Sequence, residues 1–540
     1  MSTVAEHIVA FLQDIGVQRI WGIAGDSANA FTDAVRRMPG VDWMHVRHEE
    51  AAAFAASGEA QVTGRLAVCA GSAGPGSLHL INGLYDAHAS RAPVLAIATQ
   101  IPADEIGTQF FQETHPERLF QECSHFCEVL SDPSQLPRML ELAVRAATLQ
   151  QGVAVIVVPG DVSIKKAPEP RPYAAPFVGR RRPPEEAINA LAAAIARSRK
   201  PTILAGIGCT GVEEDVIALA EKLKAPIVHA FRAKSLFETN NAFNVGLTGR
   251  VGIESAYEAV MGTDLLLMLG SDFPYLIYLP GPDTTVAQVD DRPAALGRRA
   301  HVTIPILADV GETARALLPQ VGEDRPSDWL ERSLELHRRN VETLNGQAQG
   351  RSGQRPVHPQ FLAARLDEAA TKDAIFTVDT GANSIWAARY INVHRTRTMI
   401  GSFRHGSMAN ALSQAMGAAA AYPGRQVIAL AGDGGYAMLL SELLTLKQLS
   451  LPVKVVIFNN SLLGYVELEM KQSGYVEFGV DLQNPDFGAL ANAAGVRGVR
   501  IEDPGDLAAQ LRAALEAPGP AIIDVVVEVG DLATDFLQPH

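Results

Sequence analysis

The sequence predicts an α/β protein with three doubly wound parallel-sheet domains, and three observations support this. The chain has 540 residues, enough for several domains. Short apolar runs such as Val427–Ala431 and Val453–Phe458 alternate with segments of helical spacing, which is typical of strands buried on both faces of a sheet. A proline-rich stretch at residues 165–176 and a polar stretch at residues 345–359 separate three blocks of this kind. We therefore expect domains at residues 1–175, 183–345 and 355–540.

Composition limits the partners of the protein. The formal net charge of −14 argues against nucleic acid or an anionic membrane as a general partner. Four cysteines form no disulfide framework, and the N-terminal segment lacks the unbroken apolar core of a signal peptide. No apolar run is long enough to span a bilayer. We expect a cytoplasmic protein without a stable membrane anchor in this chain.

In the first block, two acids begin an alanine-rich segment. Glu49 and Glu50 follow His48, and acids in the first turn of a helix suit its dipole. Taken alone, the local pattern favours this structural role for both acids. Further on, Phe111 and Gln112 follow a polar loop. The local sequence gives neither a functional role, and core packing is the simple explanation of the phenylalanine.

The middle block places glycine turns and polar residues after its apolar runs. The segments GIGCTG, GLTGRVGIESA, GSDFPY and VDDRP each follow such a run. Ligands of doubly wound sheets bind at the carboxyl ends of the strands, so these turns are the expected lining of a nucleotide site. A single glycine pair such as Gly206 and Gly208 is weak evidence, and the segments count only together.

The third block contains the most informative stretch, residues 426–461. Val427–Ala431 reads as a strand, a GDGG turn follows, Tyr436–Leu449 has helical spacing, and Val453–Phe458 reads as a second strand. A right-handed crossover makes these strands parallel, so Asp433 and Asn460 both lie at carboxyl ends. An acid and an amide beside glycines suit a hard cation that holds a diphosphate. The alternative is an ordinary strand–turn–helix unit with a polar turn.

The separation of 27 positions between Asp433 and Asn460 resembles the signature of the thiamine diphosphate enzyme family. The motifs RHEE, GSAGPG, FQETHP and GSM occur in the expected order, and the resemblance extends from about residue 3 to about residue 528. Among the members of that family, the acetate-forming pyruvate oxidases are the most similar. The resemblance implies thiamine diphosphate, Mg²⁺ and FAD as cofactors.

The resemblance also implies roles for individual residues. Glu49 acts at N1′ of the aminopyrimidine, and Met408 supports the bent form of the cofactor. Mg²⁺ is held by Asp433, Asn460 and a carbonyl near Leu462. The remaining implied contacts to thiamine diphosphate are Gly406, Ser407, Gly434, Gly435, Ser461, Leu463, Gly464 and Tyr465. The implied substrate or catalytic residues are Phe111, Gln112, Thr380, Tyr465 and Glu469. The implied flavin contacts are Val251, Gly252, Ile253, Glu254, Pro274, Tyr275, Asp290 and Arg292.

The activity implied by the resemblance is oxidative decarboxylation of pyruvate, or a related 2-keto acid, to acetate and CO₂. Electrons pass to a quinone, oxygen or another acceptor. The resemblance also implies that the active protein is at least a homodimer, and a homotetramer is the expected form. The quinone-reducing relative carries an amphipathic C-terminal tail that can place it at the inner membrane, whereas this sequence ends at VVVEVGDLATDFLQPH. Thr380 and Tyr465 replace apolar residues of that relative and leave the keto acid open.

Two alternatives stay open at this point. One is a non-redox lyase or carboligase that forms acetolactate or ligates aldehydes, with a nucleotide domain that has lost its redox role. The sequence departs from two such groups, because Thr114–His115 replaces the adjacent histidines of keto acid decarboxylases and Cys123–Phe126 lacks the lysine of acetohydroxyacid synthases. The other is a non-catalytic relative, which the presence of Glu49 and Asp433 disfavours.

Overall fold

Three separate six-stranded sheets form the framework of the protein, as a computed structural model shows for residues 2–322, 324–350 and 352–529. Neighbouring strands of each sheet are parallel, and helices pack on the sheets. The predicted fold class is therefore confirmed. Among the described residues, no helix combines the length and the apolar character needed to cross a membrane. The expected lack of an amphipathic C-terminal tail concerns the end of the sequence. Residues 530–540 lie outside the described residues.

The first domain begins the chain. Its strands are β1 Arg19–Gly22, β2 Asp42–His45, β3 Ala67–Gly71, β4 Val94–Gln100, β5 Phe126–Val129 and β6 Val153–Pro159. Its helices are α1 Val4–Asp14, α2 Asn29–Arg37, α3 Glu49–Thr63, α4 Pro75–His79, α5 Ile81–Ser90, α6 Pro116–Leu119, α7 Leu136–Leu149 and α8 Gly160–Ser163. The strand order across the sheet is β2-β1-β3-β4-β6-β5.

The middle domain follows a connection at residues 168–184 that has neither helix nor strand. Its strands are β7 Pro201–Ala205, β8 Ile227–His229, β9 Asn244–Leu247, β10 Leu265–Leu269, β11 Thr285–Asp290 and β12 Ile304–Leu307. Its helices are α9 Glu185–Arg197, α10 Glu213–Leu223, α11 Lys234–Phe237, α12 Glu254–Met261, α13 Val310–Leu317 and α14 Asp328–Gly350. The order β12-β11-β10-β7-β8-β9 reverses direction between β7 and β10, as in dinucleotide-binding sheets.

The third domain completes the described chain. Its strands are β13 Ile375–Val378, β14 Thr398–Gly401, β15 Val427–Gly432, β16 Val453–Asn459, β17 Arg497–Ile501 and β18 Ala521–Val526. Its helices are α15 Pro359–Ala369, α16 Ala382–Tyr390, α17 Asn410–Ala421, α18 Asp433–Met438, α19 Glu442–Gln448, α20 Gly464–Gln472, α21 Phe487–Ala493 and α22 Pro504–Glu516. The order β14-β13-β15-β16-β18-β17 repeats that of the first domain. The boundaries proposed from the sequence stay predictions.

The helix predicted over Tyr436–Leu449 is two short helices instead. The first begins at Asp433, so the glycines of the turn form its first turn, and Leu439 leaves the helical conformation with φ −121° and ψ 35°. The second helix, α19, begins at Glu442, whose buried carboxylate accepts a hydrogen bond from the backbone N–H of Arg47 at 3.0 Å. This contact between the first and third domains explains why continuous helical spacing did not give one helix.

Helices α3 and α17 join the first and third domains through close backbone contact. A β-carbon on Gly417 would lie 1.9 Å from the carbonyl oxygen of Ala55, and one on Gly58 would lie 2.4 Å from that of Gln414. Neither separation is physically possible for a side chain, so both positions require glycine. The alanine-rich faces around them form one apolar core shared by the two domains.

Candidate active site

Asp433 and Asn460 lie at one edge of the third sheet. Strands β15 and β16 are neighbouring and parallel, and each residue follows the end of its strand directly. Asp433 is buried, and its Oδ2 accepts a hydrogen bond from the backbone N–H of Ser461 at 2.6 Å. The turn after β16 is thereby bonded to the turn after β15. Oδ1 of Asn460 accepts from the backbone N–H of Leu462 at 3.1 Å.

Asn484 is a member of this site that the sequence did not identify. Its Nδ2 donates to Oδ2 of Asp433 at 2.7 Å and to Oδ1 of Asn459 at 3.0 Å. Burial raises the pKa of Asp433, whereas hydrogen bonds from Gly434, Ser461 and Asn484 act in the opposite direction. Asn484 lies in an irregular segment, and no motif or periodicity marks it.

A cavity, here called the Asp433 cavity, opens at this edge. Of the predicted contacts it is lined by Thr380, Met408, Asp433, Gly434, Gly435, Asn460, Leu462, Leu463, Gly464 and Tyr465. A β-carbon on Gly435 would lie 1.9 Å from Oδ2 of Asp379, so only glycine allows this close approach. Carboxylate and amide oxygens beside a glycine backbone are a donor set that fits Mg²⁺ and a diphosphate. Ser461 bonds Asp433 but does not line the cavity, and Gly406 lines the neighbouring cavity.

A larger cavity of about 320 Å³, here called the central cavity, lies between the middle and third domains. Gly206 follows β7 and Gly270 follows β10, so the cavity opens where the strand order reverses. Of the predicted flavin contacts, Val251, Pro274 and Tyr275 line it. The other five lie outside its lining: Gly252, Ile253, Glu254, Asp290 and Arg292. Three of these have partners within the fold, since Glu254 accepts from Asn340 and Asp290 pairs with Arg292.

The two cavities meet. Both cavities are lined by Thr380, Gly381 and Tyr465. Tyr465 is the second residue of α20. Asp379, beside Thr380, is buried in the wall of the central cavity, and this burial raises its pKa to about 7. A ligand bound in one cavity would therefore lie next to a ligand bound in the other, with the polar side chains of Thr380 and Tyr465 where the cavities meet.

Glu469 lies one helical turn after Tyr465 on α20, so both side chains are on the same face of the helix. Arg250 of the middle domain donates from Nη1 to Oε1 of Glu469 at 2.5 Å. The guanidinium of Arg250 also lies over the ring of Tyr275, 5.7 Å from its centroid. The contact between Arg250 and Glu469 joins positions 219 residues apart, so no local pattern in the sequence marks this pair.

Glu49 begins α3 and is buried, but it lines neither cavity of its own chain. Its Oε2 lies 3.0 Å from Nδ1 of His79, whose ring stacks on that of His48 with centroids 4.4 Å apart. Asn82 donates to Glu50 at 2.7 Å and to Ser407 at 2.9 Å. Glu50 therefore has a structural partner, while the structure does not bring Glu49 to Asp433.

The candidate substrate residues of the first domain are Phe111 and Gln112. The side chain of Phe111 is 76% exposed, so core packing does not explain this residue. Gln112 has φ of 65° and packs on the glycine loop, since a β-carbon on Gly74 would lie 2.8 Å from its Cβ. Neither residue lines the two cavities of its own chain.

Comparison with protein families agrees with this layout. Residues 2–119 match the thiamine pyrophosphate enzyme N-terminal TPP binding domain, residues 188–317 the central domain, and residues 379–525 the C-terminal TPP binding domain. The matched segments contain most strands of the first, middle and third sheets in turn, with β5 and β6 of the first sheet and β13 of the third outside them.

Individual relatives cover most of the chain. The putative thiamine pyrophosphate-containing protein YdaP of Bacillus subtilis is 35% identical over 97% of this chain and 92% of its own. A pyruvate oxidase of Lactiplantibacillus plantarum is 30% identical over 96% and 88%. An acetolactate synthase large subunit of Parasynechococcus marenigrum is 32% identical over 99% and 89%.

Proposed function

The chain belongs to the thiamine pyrophosphate enzyme family, and we propose that it is a flavin-dependent member that oxidatively decarboxylates a 2-keto acid. The proposed products are CO₂ and a carboxylic acid, acetate when the substrate is pyruvate. A quinone, oxygen or another acceptor then takes the electrons from the flavin.

The observation that carries the proposal is the junction of the two cavities at Thr380, Gly381 and Tyr465. Electron transfer from a decarboxylated substrate requires the two cofactors to be neighbours. The Asp433 cavity has the donor set for a metal-bound diphosphate, and the central cavity opens directly beside it.

Features of the central cavity support a dinucleotide as its ligand. The sheet has the strand order of dinucleotide-binding domains, and the cavity lies at the point where that order reverses. Its volume of about 320 Å³ falls within the range of ligand sites. The Oγ1 of Thr248, a buried residue of the lining, has no hydrogen-bond partner among the described residues. Buried polar atoms normally have partners, so a ligand group is the expected one.

Bound thiamine diphosphate would supply the electron sink for loss of CO₂, and bound FAD would accept the electron pair. Asp433, Asn460 and the carbonyl of Leu462 would hold Mg²⁺ and through it the diphosphate. Met408 lines the same cavity and would support the bent form of the bound cofactor. These residues bind and orient, and they leave the bond-breaking chemistry to the cofactors.

Glu49 would hold a proton at the aminopyrimidine of a cofactor bound to another copy of the chain. Neither the Asp433 cavity nor the central cavity of its own copy is lined by Glu49, whereas His79 at 3.0 Å keeps that carboxylate oriented. A homodimer is then the smallest active unit, with Phe111 and Gln112 of the first domain completing the substrate pocket, and a homotetramer is the form we expect in solution.

Substrate choice would depend on Thr380 and Tyr465, which lie where the two cavities meet. Both side chains carry a hydroxyl, and both can donate a hydrogen bond to a polar keto acid. Glu469 lines neither cavity but lies one helical turn from Tyr465 and is held by Arg250, and it would accept a proton from the substrate or donate one to it. We therefore include 2-keto acids more polar than pyruvate among the candidate substrates.

Acetolactate formation is the second candidate, because acetolactate synthases are among the relatives that span the whole chain. Product analysis separates the two reactions. Incubation with pyruvate and an artificial two-electron acceptor should give acetate and reduced acceptor in equal amounts, and no acetolactate. Acetolactate as the main product, with the acceptor unchanged, would refute the oxidative proposal.

A further inference from the structure

The central cavity has an excess of positive charge that comes from all three domains. Arg91 lies just after α5 of the first domain, Arg232 follows β8 of the middle domain, and Arg404 follows β14 of the third. All three line the cavity, and among its acidic residues Asp272 lies closest to them. The first domain otherwise contributes nothing to this lining.

Asp272 does not neutralise the cluster. It lies 3.4 Å from Arg91, 3.3 Å from Arg404 and 3.6 Å from Arg298. Strong guanidinium–carboxylate bonds measure about 2.7–2.9 Å and are often bidentate, so three arginines share one acid at longer distances. Each guanidinium has five N–H donors, and most of those at this junction have no carboxylate within reach.

The arginines also crowd one another. Burial, with Arg292 as the strongest cationic neighbour, lowers the pKa of Arg91 to about 9. Burial and the proximity of Arg404 lower the pKa of Arg232 to about 10. Both groups remain cations at neutral pH, so the lining holds charge that an anionic ligand would compensate.

The backbone at the junction is fixed by the same residues. Arg91 is the residue directly after α5 and has the left-handed conformation, with φ of 57°, which is unusual for a residue other than glycine. Nη2 of Arg232 donates to the carbonyl oxygen of Ser90, the last residue of α5. The first domain thus reaches the central cavity through one helix end that the middle domain holds in place. Thr248 also lines this cavity, and its buried hydroxyl has no hydrogen-bond partner within the part of the chain that the structure describes.

We propose that Arg91, Arg232 and Arg404 form a diphosphate receptor built from all three domains, so that a bound dinucleotide fastens the first domain to the other two. The proposal rests on the proposed function for the identity of the dinucleotide. The diphosphate chemistry is shared by FAD and by ADP, whereas riboflavin carries the flavin ring without phosphate.

Calorimetric binding of ADP, FAD and riboflavin tests the receptor. Arg91→Met and Arg404→Met should each weaken ADP and FAD about 10- to 100-fold and leave riboflavin within about twofold, as expected for loss of charge-assisted hydrogen bonds. Arg298→Met is the matched control, because Arg298 contacts the same Asp272 but does not line the cavity. It should leave all three affinities within about twofold.

Two measurements on the unaltered protein make the result independent of the variants' folding. Raising the salt concentration should weaken ADP binding and spare riboflavin binding. ADP should slow amide hydrogen exchange in Ile81–Ser90 as well as in the middle domain, since the ligand would tie that helix end down. ADP affinity independent of salt, or protection confined to the middle domain, would overturn the receptor.

Failure of the receptor and failure of the proposed function give different results. If flavin binds and is reduced by a keto acid while Arg91→Met keeps full FAD affinity, the receptor is wrong and the oxidative function stands. If the protein holds no flavin but binds ADP in a way that depends on Arg91 and Arg404, the receptor stands and the oxidative function falls.

Discussion

Replacement of Asn484 by alanine should weaken the metal site without unfolding the protein. The side chain donates to Oδ2 of Asp433 at 2.7 Å and to Asn459 at 3.0 Å, and it touches no other predicted cofactor residue by a hydrogen bond. Without it, Oδ2 of Asp433 keeps the bond from the backbone N–H of Ser461 but loses one of the two hydrogen bonds that hold it in position.

The magnitude follows from these two bonds. Removing a partner that orients a metal ligand costs about 10- to 100-fold in metal affinity, which corresponds to about 1.4–2.7 kcal/mol. The loss of a hydrogen bond to a charged group, about 1.5–3 kcal/mol, is of the same size. We expect the Kd for Mg²⁺ in the presence of saturating thiamine diphosphate to rise by this factor.

The assay is a calorimetric titration of cofactor-free protein with Mg²⁺ at fixed thiamine diphosphate. Asn492→Ala is the control, because Asn492 also makes two hydrogen bonds, both to the backbone of Gly498, in an exposed part of the same domain. The control should keep the wild-type Kd within about twofold. An unchanged Kd for Asn484→Ala, with a normal melting temperature, would refute the assigned role of Asn484.

Three further outcomes follow from the structure. Arg250→Met should change the free energy of unfolding by less than about 1 kcal/mol, because the pair of Arg250 with Glu469 is half-exposed. The same variant should have a lower turnover number and a shifted pH profile of turnover. Unchanged steady-state kinetics would count against a role of that pair in the reaction. Gly417→Ala should lower the free energy of unfolding by about 1–3 kcal/mol in denaturant titration because its β-carbon would strike α3, whereas Gly346→Ala, with open space around it, should not. Burial raises the pKa of Glu442 from 4.5 to about 7, so its contribution to stability is full below pH 4.5 and is lost as the pH rises through 7. Wild type should therefore lose on the order of 3 kcal/mol relative to Glu442→Gln between pH 4 and 8, and parallel stability curves would contradict this.

The sequence was informative wherever function depends on local order. Buried strands read as apolar runs, and each predicted strand of the βαβ unit appears with its end within one residue of the prediction. Once both strands are parallel neighbours, geometry alone brings Asp433 and Asn460 to the same edge. The expected convergence of these two residues needed no long-range information.

Contacts between distant segments were beyond the sequence. Asn484 and Arg250 reach the site from an irregular segment and from another domain, and neither position obeys a period that the chain displays. The break at Leu439 also has a tertiary cause, because Glu442 bonds the backbone of the first domain. Helical spacing reports local preference, and a buried carboxylate with a distant partner overrides it.

The middle domain shows the same division. Its glycine turns predicted a nucleotide crevice, and the strand order places a cavity there. Individual contacts were harder to assign, since Glu254 and Asp290 are directed to Asn340 and Arg292 and only some of the predicted residues face the cavity. Strand ends can be found from sequence, whereas the direction of each side chain depends on its packing.

The most direct test of the central claim is the absorbance of the purified holoprotein under anaerobic conditions after addition of pyruvate and of a panel of other 2-keto acids. We expect an oxidised flavin spectrum that at least one keto acid bleaches within the turnover time. Glu49→Gln should bind flavin normally and bleach at least about 100-fold more slowly, since Glu49 would hold the proton that starts the reaction. A flavin that stays oxidised with every keto acid, or equal bleaching rates in wild type and Glu49→Gln, would contradict the account.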